Sequence, residues 1–211
     1  MSLRGKHILV TAGPTWEPID PVRLIANRSS GRQGFAIAAA SAQDGARVTL
    51  VAGPVALATP AGADRIDVET AEQMAEAVFA SLPADAAILV AAVADWRVEP
   101  SSTKLKKGDG PPRLSFVPTR DILAELAASE RRPPLLIGFA AETDDVVEHA
   151  IAKRSAKKAD WIVANDVSRG VMGGQRNRVH LVTQTGVEDW PEAGKDEIAR
   201  QLVGRIADAL C

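Results

Sequence analysis

Residues 24–38 read LIANRSSGRQGFAIA, and Ser29-Ser30-Gly31 stands where an apolar stretch gives way to a helix with small residues on its inner face. Unpaired backbone N–H groups and the helix dipole make such a start receptive to an anion, and Gly31 and Gly34 let a ligand and a sheet approach closely. The same three residues also make an ordinary helix N-cap, so their spacing supports either role. Before them lies a long loop: between Gly13 and Gly31 the chain passes Pro14, Pro18 and Pro21, which narrow its unbound conformations. Long ordered loops in compact domains usually carry function.

Other chemistries lack the residues they need. There is no tyrosine for a short-chain dehydrogenase and no GxxxxGK[ST] phosphate loop. The second apolar run ends in Ala52-Gly53-Pro54, without the acidic residue that holds a nicotinamide cofactor's ribose. Three scattered histidines (His7, His149, His180) suggest no metal or relay cluster, and Cys211 alone permits no disulfide, CxxC or zinc knuckle. An NAD(P)-binding oxidoreductase is therefore disfavoured, and a non-catalytic nucleotide-binding subunit is a second rival to an enzyme.

Elements that would position a site follow from the patterning. Strand-like runs at 7–12, 48–52, 87–92, 135–139 and 161–164 alternate with helical stretches, the signature of an α/β fold with a parallel sheet. The helices fall at 31–44, closed by Gly45; 71–82, capped by Thr70; 121–129; 144–157, capped by Thr143; and 195–210, with Ile198, Leu202, Ile206 and Leu210 on one face. Residues 93–117 hold KLKKGDGPPRLSF, read as a two-stranded flap. SRGVMGGQRNR is a glycine-rich loop before a hairpin turning at Thr185-Gly186. The whole, residues 1–211, is expected to be one domain.

Open α/β sheets bind ligands at the carboxyl edge of their strands. Ala91, Ala92 and Asp95 follow the third run, Gly138, Phe139 and Ala140 end the fourth, and Asn165 and Asp166 end the fifth. Three such ends side by side form a shared nucleotide cleft. With 25 basic against 27 acidic residues the net charge is -2, so no overall field draws nucleic acid or an anionic membrane. No apolar run approaches the ~20 residues of a membrane span and the N-terminus has no signal-peptide core, so a cytoplasmic setting is expected.

TAGPTWEPIDPVRLIANRSSGRQGFAIA, AAVADW, KLKK, GFAAET and ANDVS, in this order and spacing, closely resemble the bacterial phosphopantothenoylcysteine synthetase (phosphopantothenate-cysteine ligase) family of coenzyme A biosynthesis. The resemblance covers nearly the whole chain. It implies a Rossmann-like fold, a homodimer and a two-step ligation. The carboxylate of 4'-phosphopantothenate attacks the α-phosphate of CTP with Mg²⁺ present, and the amine of cysteine then displaces CMP from the acyl-cytidylate. In most bacteria this domain is joined to a flavin-dependent decarboxylase; this chain resembles the ligase half, for which no flavin is expected.

The resemblance also implies roles. Asn27 orients the acyl carbonyl and stabilises its oxygen during cysteine addition. Arg23 reaches substrate, either in its own subunit or across the dimer interface. Ser29, Ser30 and Gly31 either take the phosphate of phosphopantothenate or hold the loop. Lys104, Lys106 and Lys107 form a KxKK signature that accompanies CTP use, with Lys104 and Lys106 on one face of the flap and Lys104 foremost for phosphate contact. Ala92 permits close approach, Asp95 accepts from the cytosine amino group or a ribose hydroxyl, Phe139 packs on the base, and Asn165 and Asp166 complete the nucleotide site. No metal ligand is assigned, because Mg²⁺ sits mainly on phosphates and water, and Asp144 and Asp145 suit a helix dipole better. Two departures stand out: PTRD replaces Lys-Asn-Pro-Asp, placing Thr119 and Arg120 where relatives have another pair, and the loop before Asn177 lacks the family's aromatic residue.

Overall fold

The computed structural model describes residues 2–110, 112–142, 144–166 and 176–211, and the side chains of all of these except Asp109 and Asp166. Along the chain run β1 (His7–Ala12), β2 (Trp16–Asp20), β3 (Arg23–Ala26), α1 (Arg32–Gln43), β4 (Arg47–Ala52), β5 (Ala63–Asp67) and α2 (Ala71–Ala80). There follow β6 (Ala86–Leu89), β7 (Trp96–Arg97), β8 (Val117–Pro118), α3 (Ile122–Ala128), β9 (Leu135–Glu142), α4 (Val146–Lys157), β10 (Trp161–Asp166), β11 (Arg176–Val182), β12 (Val187–Gly194) and α5 (Lys195–Leu210).

The central sheet has the order β12-β11-β10-β9-β6-β1-β4-β5. From β5 to β10 every pairing is parallel, and β11 and β12 extend the sheet as an antiparallel hairpin. Numbered among themselves, the six parallel strands run 3-2-1-4-5-6, the doubly wound Rossmann order. The chain reverses direction of winding between β1 and β6, which opens a crevice at the carboxyl ends of those strands.

Both faces are covered, which is why the inner strands are apolar throughout rather than alternating. Ile8, Val10, Val48 and Leu50 pack under α1 and α5, and Leu9, Val51, Ala87 and Leu136 pack under α2, α3 and α4. The stripe of α5 falls as its spacing predicts: Ile198, Leu202 and Ile206 are buried and Leu210 packs at the margin. Gly34 brings α1 onto β1, since a methyl there would lie 2.5 Å from Ala12 Cβ. Thr70 caps α2 with a capping box closed by Gln73. Among the described residues no helix is long and apolar enough to cross a membrane.

The structure departs from expectation at several points. The expected loop after Gly13 contains the β2–β3 hairpin, called the arm below. Pro18 argues against a strand in sequence, but it pairs with Leu24 in a two-stranded sheet whose outer edges need no donor. β5 escapes notice because Asp64, Arg65 and Asp67 give it a charged, half-exposed edge. The expected flap strands exist as β7 and β8, but the lysine segment 104–106 belongs to neither and Lys107 opens a 3₁₀ turn. Lys104 and Lys106 thus share no strand face, although both are exposed with half-buried Leu105 between them.

At α1 the N-cap is Gly31 itself, in the left-handed region at φ 72° with no side-chain cap. Ser29 Oγ accepts from the Gly31 amide at 3.3 Å and so shapes the turn instead of capping the helix. α4 begins two residues later than expected, at Val146 after Asp145 at φ 43°. Thr143 and the glycine-rich loop 168–175 lie outside the described residues.

Candidate functional site

A cleft of about 1460 Å³ opens at the carboxyl ends of β1, β6, β9 and β10. Its floor is the segment after β6. Thr11 Oγ1 accepts from the Ala91 amide (3.2 Å), Gly13 O from the Ala92 amide (2.8 Å) and Thr15 Oγ1 from the Ala94 amide (3.0 Å). These bonds fix the backbone of 91–94 where it lines the cleft. The Asn27 amide donates to Val93 O at 2.9 Å, fastening the end of the arm to the same floor with one N–H still free for substrate.

Asp95 is exposed at the cleft edge beside Trp96. Thr119, one of the two residues that replace the family's pair, ties this edge to β8: its amide donates to Asp95 O (3.1 Å) and its hydroxyl to Ala94 O (2.5 Å). Arg120, the other, lines the cleft but is committed elsewhere. Its guanidinium bonds Glu125 and Glu72 and stacks 5.7 Å from the Phe79 ring centroid, and the Glu125 bond above all raises its pKa despite burial.

Ser29, Ser30 and Gly31 line the cleft at the α1 amino end, and Phe139 and Ala140 line it at the end of β9. Asn165 also lines it, and its buried Oδ1 has no hydrogen-bond partner among the described residues. Asp166 continues the β10 ladder opposite Glu142, while its side chain lies outside the described residues.

Three cleft lysines, Lys153, Lys157 and Lys195, escape sequence reasoning. Lys153 donates to Phe139 O at 2.8 Å, and burial pushes its ammonium pKa down. Lys157, one turn on, pairs with Asp121, which also caps α3 through the Ala124 amide. Burial alone would raise the Asp121 pKa, but Lys157 and that amide outweigh it and the net shift is downward. The i, i+4 spacing of Lys153 and Lys157 was the available signal, yet on a helix so polar it reads as solvated surface. The opposite wall carries Arg28, Arg32, Arg178 and Lys195, none of which has a carboxylate partner among the described residues. The lining is thus rich in positive charge although the whole chain is not.

Arg23, Lys104, Lys106 and Lys107 do not line this cleft. They gather on the arm and flap around Asp20, which is buried. Asp20 accepts from the Arg23 guanidinium (2.5 and 3.0 Å) and from the amides of Val22 (2.9 Å), Arg23 (3.0 Å) and Leu105 (3.1 Å). Arg23 in turn donates to Leu105 O at 2.7 Å. Burial would raise the carboxyl pKa, but the Arg23 bond and the three amides hold it well below the usual carboxylate range. Among the described residues no three His, Cys, Asp or Glu side chains cluster as a metal site would require.

Fold and cleft together define an open, doubly wound α/β protein with an anion-receptive site at its switch point. Residues 3–210 match the family described as the DNA/pantothenate metabolism flavoprotein C-terminal domain, and the chain belongs to that family. It is 44% identical over 211 residues to the coenzyme A biosynthesis bifunctional protein CoaBC of Escherichia coli strain K12, covering 97% of this chain and 52% of that protein. Against CoaBC of Vibrio parahaemolyticus the identity is 51% over 170 residues, covering 79% and 43%. The crystal structure of a CoaBC C-terminal domain superposes with a TM-score of 0.85 at 40% identity, covering 99% of this chain and 97% of that one. The chain spans about half the length of these curated relatives.

Proposed function

We propose that this chain is a phosphopantothenate-cysteine ligase domain that uses CTP in coenzyme A biosynthesis. The observation that carries the reading is the cation-lined cleft at the switch point of a chain in this family, with Asn27 bonded to its floor. In the first step a carboxylate oxygen of 4'-phosphopantothenate attacks the α-phosphorus of CTP, forming a P–O bond as the bond to pyrophosphate breaks. In the second the cysteine amine attacks the acyl carbon, loses a proton and expels CMP. Neither step needs a protein nucleophile; both need aligned reactants and neutralised phosphate charge.

The residues divide accordingly. Asn27 holds the acyl carbonyl at the floor, with Ala92 giving the backbone room. Asp95, Phe139, Asn165 and Asp166 hold the cytidine moiety at the strand ends. Ser29, Ser30 and Gly31 present the α1 amino end to a phosphate, and Lys153 and Lys157 add positive charge from the other side. Arg23 and the lysines Lys104, Lys106 and Lys107 serve from the arm and flap. Because Asp20 joins Arg23 to the lysine segment, whatever cleft receives Arg23 also receives the lysines.

The arm and flap expose the large apolar side chains Val22 (63%), Trp96 (53%) and Phe116 (55%), which would suit a second copy of the chain. A homodimer through them would carry the arm toward the partner's cleft. Mg²⁺ would accompany the triphosphate, held mainly by phosphate oxygens and water. The flavin-dependent decarboxylase belongs to the remaining length of the bifunctional relatives.

The test is pyrophosphate release with Mg²⁺ and 4'-phosphopantothenate, CTP against ATP, with and without cysteine. Cysteine-dependent turnover that favours CTP is the expected result. Turnover with ATP alone would keep the ligase and remove the inference from Lys104, Lys106 and Lys107, and no turnover from folded protein would overturn the ligase.

A further inference from the structure

The cations of the cleft differ in how they are satisfied. Lys157 pairs with Asp121, Arg120 with Glu125 and Glu72, and Lys153 donates to a carbonyl. The side chains of Arg32 and Lys195, on the opposite wall, have no hydrogen-bond or ion-pair partner among the described residues. Arg32 and Lys195 are the first residues of α1 and α5, and the two helices are fastened at these ends: Gln33 Nε2 donates to Lys195 O at 3.2 Å across 162 positions of sequence. Gln33 is only 7% exposed, lines the cleft, and has a buried Oε1 without a partner.

That arrangement is unfavourable as it stands. Lys195 is half-buried, so desolvation pushes its ammonium pKa down, and the nearby Arg32 charge pushes it further. Two like charges are thus held beside each other by packing, next to two helix amino ends with unpaired N–H groups. A buried acceptor left without a donor adds its own desolvation cost. A polyanion offsets the charges and the free N–H groups together, and water bound to its oxygens supplies the missing donor. A single phosphate monoester would meet one cation and one helix end; two cations and two helix ends match the β- and γ-phosphates of a nucleotide.

We propose that Lys195, with Arg32 beside it, is a phosphate clamp of this cleft and a catalytic residue of the first step. Its ammonium contacts the terminal phosphates of CTP and neutralises the pyrophosphate as it leaves, while Gln33 positions it by holding its backbone carbonyl. This deepens the ligase reading and rests on it for the identity of the nucleotide.

The test uses the full chain with Lys195→Met and Lys195→Arg, and inorganic pyrophosphate as the probe. Binding of pyrophosphate by calorimetry needs no turnover, and steady-state kinetics give KM for CTP and for 4'-phosphopantothenate separately. Lys195→Met should weaken pyrophosphate binding and raise KM for CTP about ten- to a hundredfold, with KM for 4'-phosphopantothenate nearly unchanged, and Lys195→Arg should recover most of the loss. The Gln33 bond goes to backbone, so the melting temperature should hold; if the Met variant fails to fold, Lys195→Gln is read in its place.

Unchanged pyrophosphate binding and CTP kinetics would overturn the clamp, and a KM change confined to 4'-phosphopantothenate would overturn its assignment to the nucleotide. If wild-type protein binds pyrophosphate through Lys195 but releases none from CTP, the clamp stands and the ligase reading falls.

Discussion

The cleft and the arm hold their charged residues by opposite means. In the cleft, Asn27, Asp95, Phe139 and Lys195 come from segments far apart in the chain, and the doubly wound sheet brings them together at its strand ends. On the arm, Arg23 and the lysine segment are held by one buried carboxylate, Asp20, through contacts that owe nothing to the sheet. The first arrangement builds a fixed site. The second builds a rigid unit that can be carried to a site, and its lysines stay exposed outside the chain's own cleft. On the proposed reading the site has two parts, one set by the fold and one that a second copy of the chain would have to receive from the arm.

The largest effect should come where the two regions meet. Asn27 ends the arm and bonds the floor at Val93 O, and on the proposed reading Asn27→Asp would put a repelling acceptor where the acyl oxygen binds. Loss of one such donor elsewhere costs about 3 kcal/mol, so overall turnover should fall about a hundred- to a thousandfold. CTP should still be consumed once per site, leaving acyl-cytidylate that rapid-quench analysis can trap; a variant with normal turnover would remove Asn27 from the second step.

Next in size is the arm itself. Lys104→Gln should slow pyrophosphate release about ten- to a hundredfold, the range for one charge-assisted phosphate contact. Mixing this variant with Asn27→Asp protein sharpens the comparison. If the arm serves the partner's cleft, a hybrid dimer contains one intact cleft and exchange of subunits restores about a quarter of wild-type activity. No restoration would return the arm to its own cleft.

Gly53→Ala acts on neither site directly but on the junction that separates them. An added methyl would lie 1.7 Å from Pro14 O, where β1 gives way to the arm, so backbone must shift. Overpacking of this kind costs about 1–3 kcal/mol or more, and a chain of this length loses about 2–4 °C of Tm per kcal/mol. A variant that melts with wild type would show that the arm's root is not the tight contact the geometry describes.

The same division explains what the sequence could tell. Apolar runs at 7–12, 48–52 and 161–164 announce strands buried on both faces, and the α5 stripe at Ile198, Leu202 and Ile206 announces its packing, because each pattern is local. The strand-end residues follow from the fold class by a general rule. Lys153, Lys157 and Lys195 were not legible, since a lysine on a polar helix looks solvated until the opposite wall is placed. Gln33 shows why most plainly: its partner lies 162 residues away. The arm was hidden by its own prolines, and only a resemblance of motifs, with no periodicity to support it, drew attention to Arg23 and the lysines.

The smallest effect, and the most specific to the arm, concerns Asp20 and pH. Its folded pKa lies below the unfolded value of about 3.9, so in the folded protein the carboxylate binds its proton less readily. The stability this contributes is therefore fully present above the unfolded pKa and is lost as pH falls through the folded one. Asp20→Asn removes the linkage along with the Arg23 and Leu105 contacts. The difference in Tm between wild type and this variant should be constant near neutrality and shrink below about pH 4 as the wild-type carboxyl is forced to protonate. Because the arm is also held by Ala71 N–H on Glu17 and by the Ser101 amide on Ile19 O, the variant should lose CTP turnover more than stability. A Tm difference that does not change between neutral and acid pH would mean that Asp20 is not the ionised centre of the arm, and Arg23 and the lysines would then no longer move as one unit.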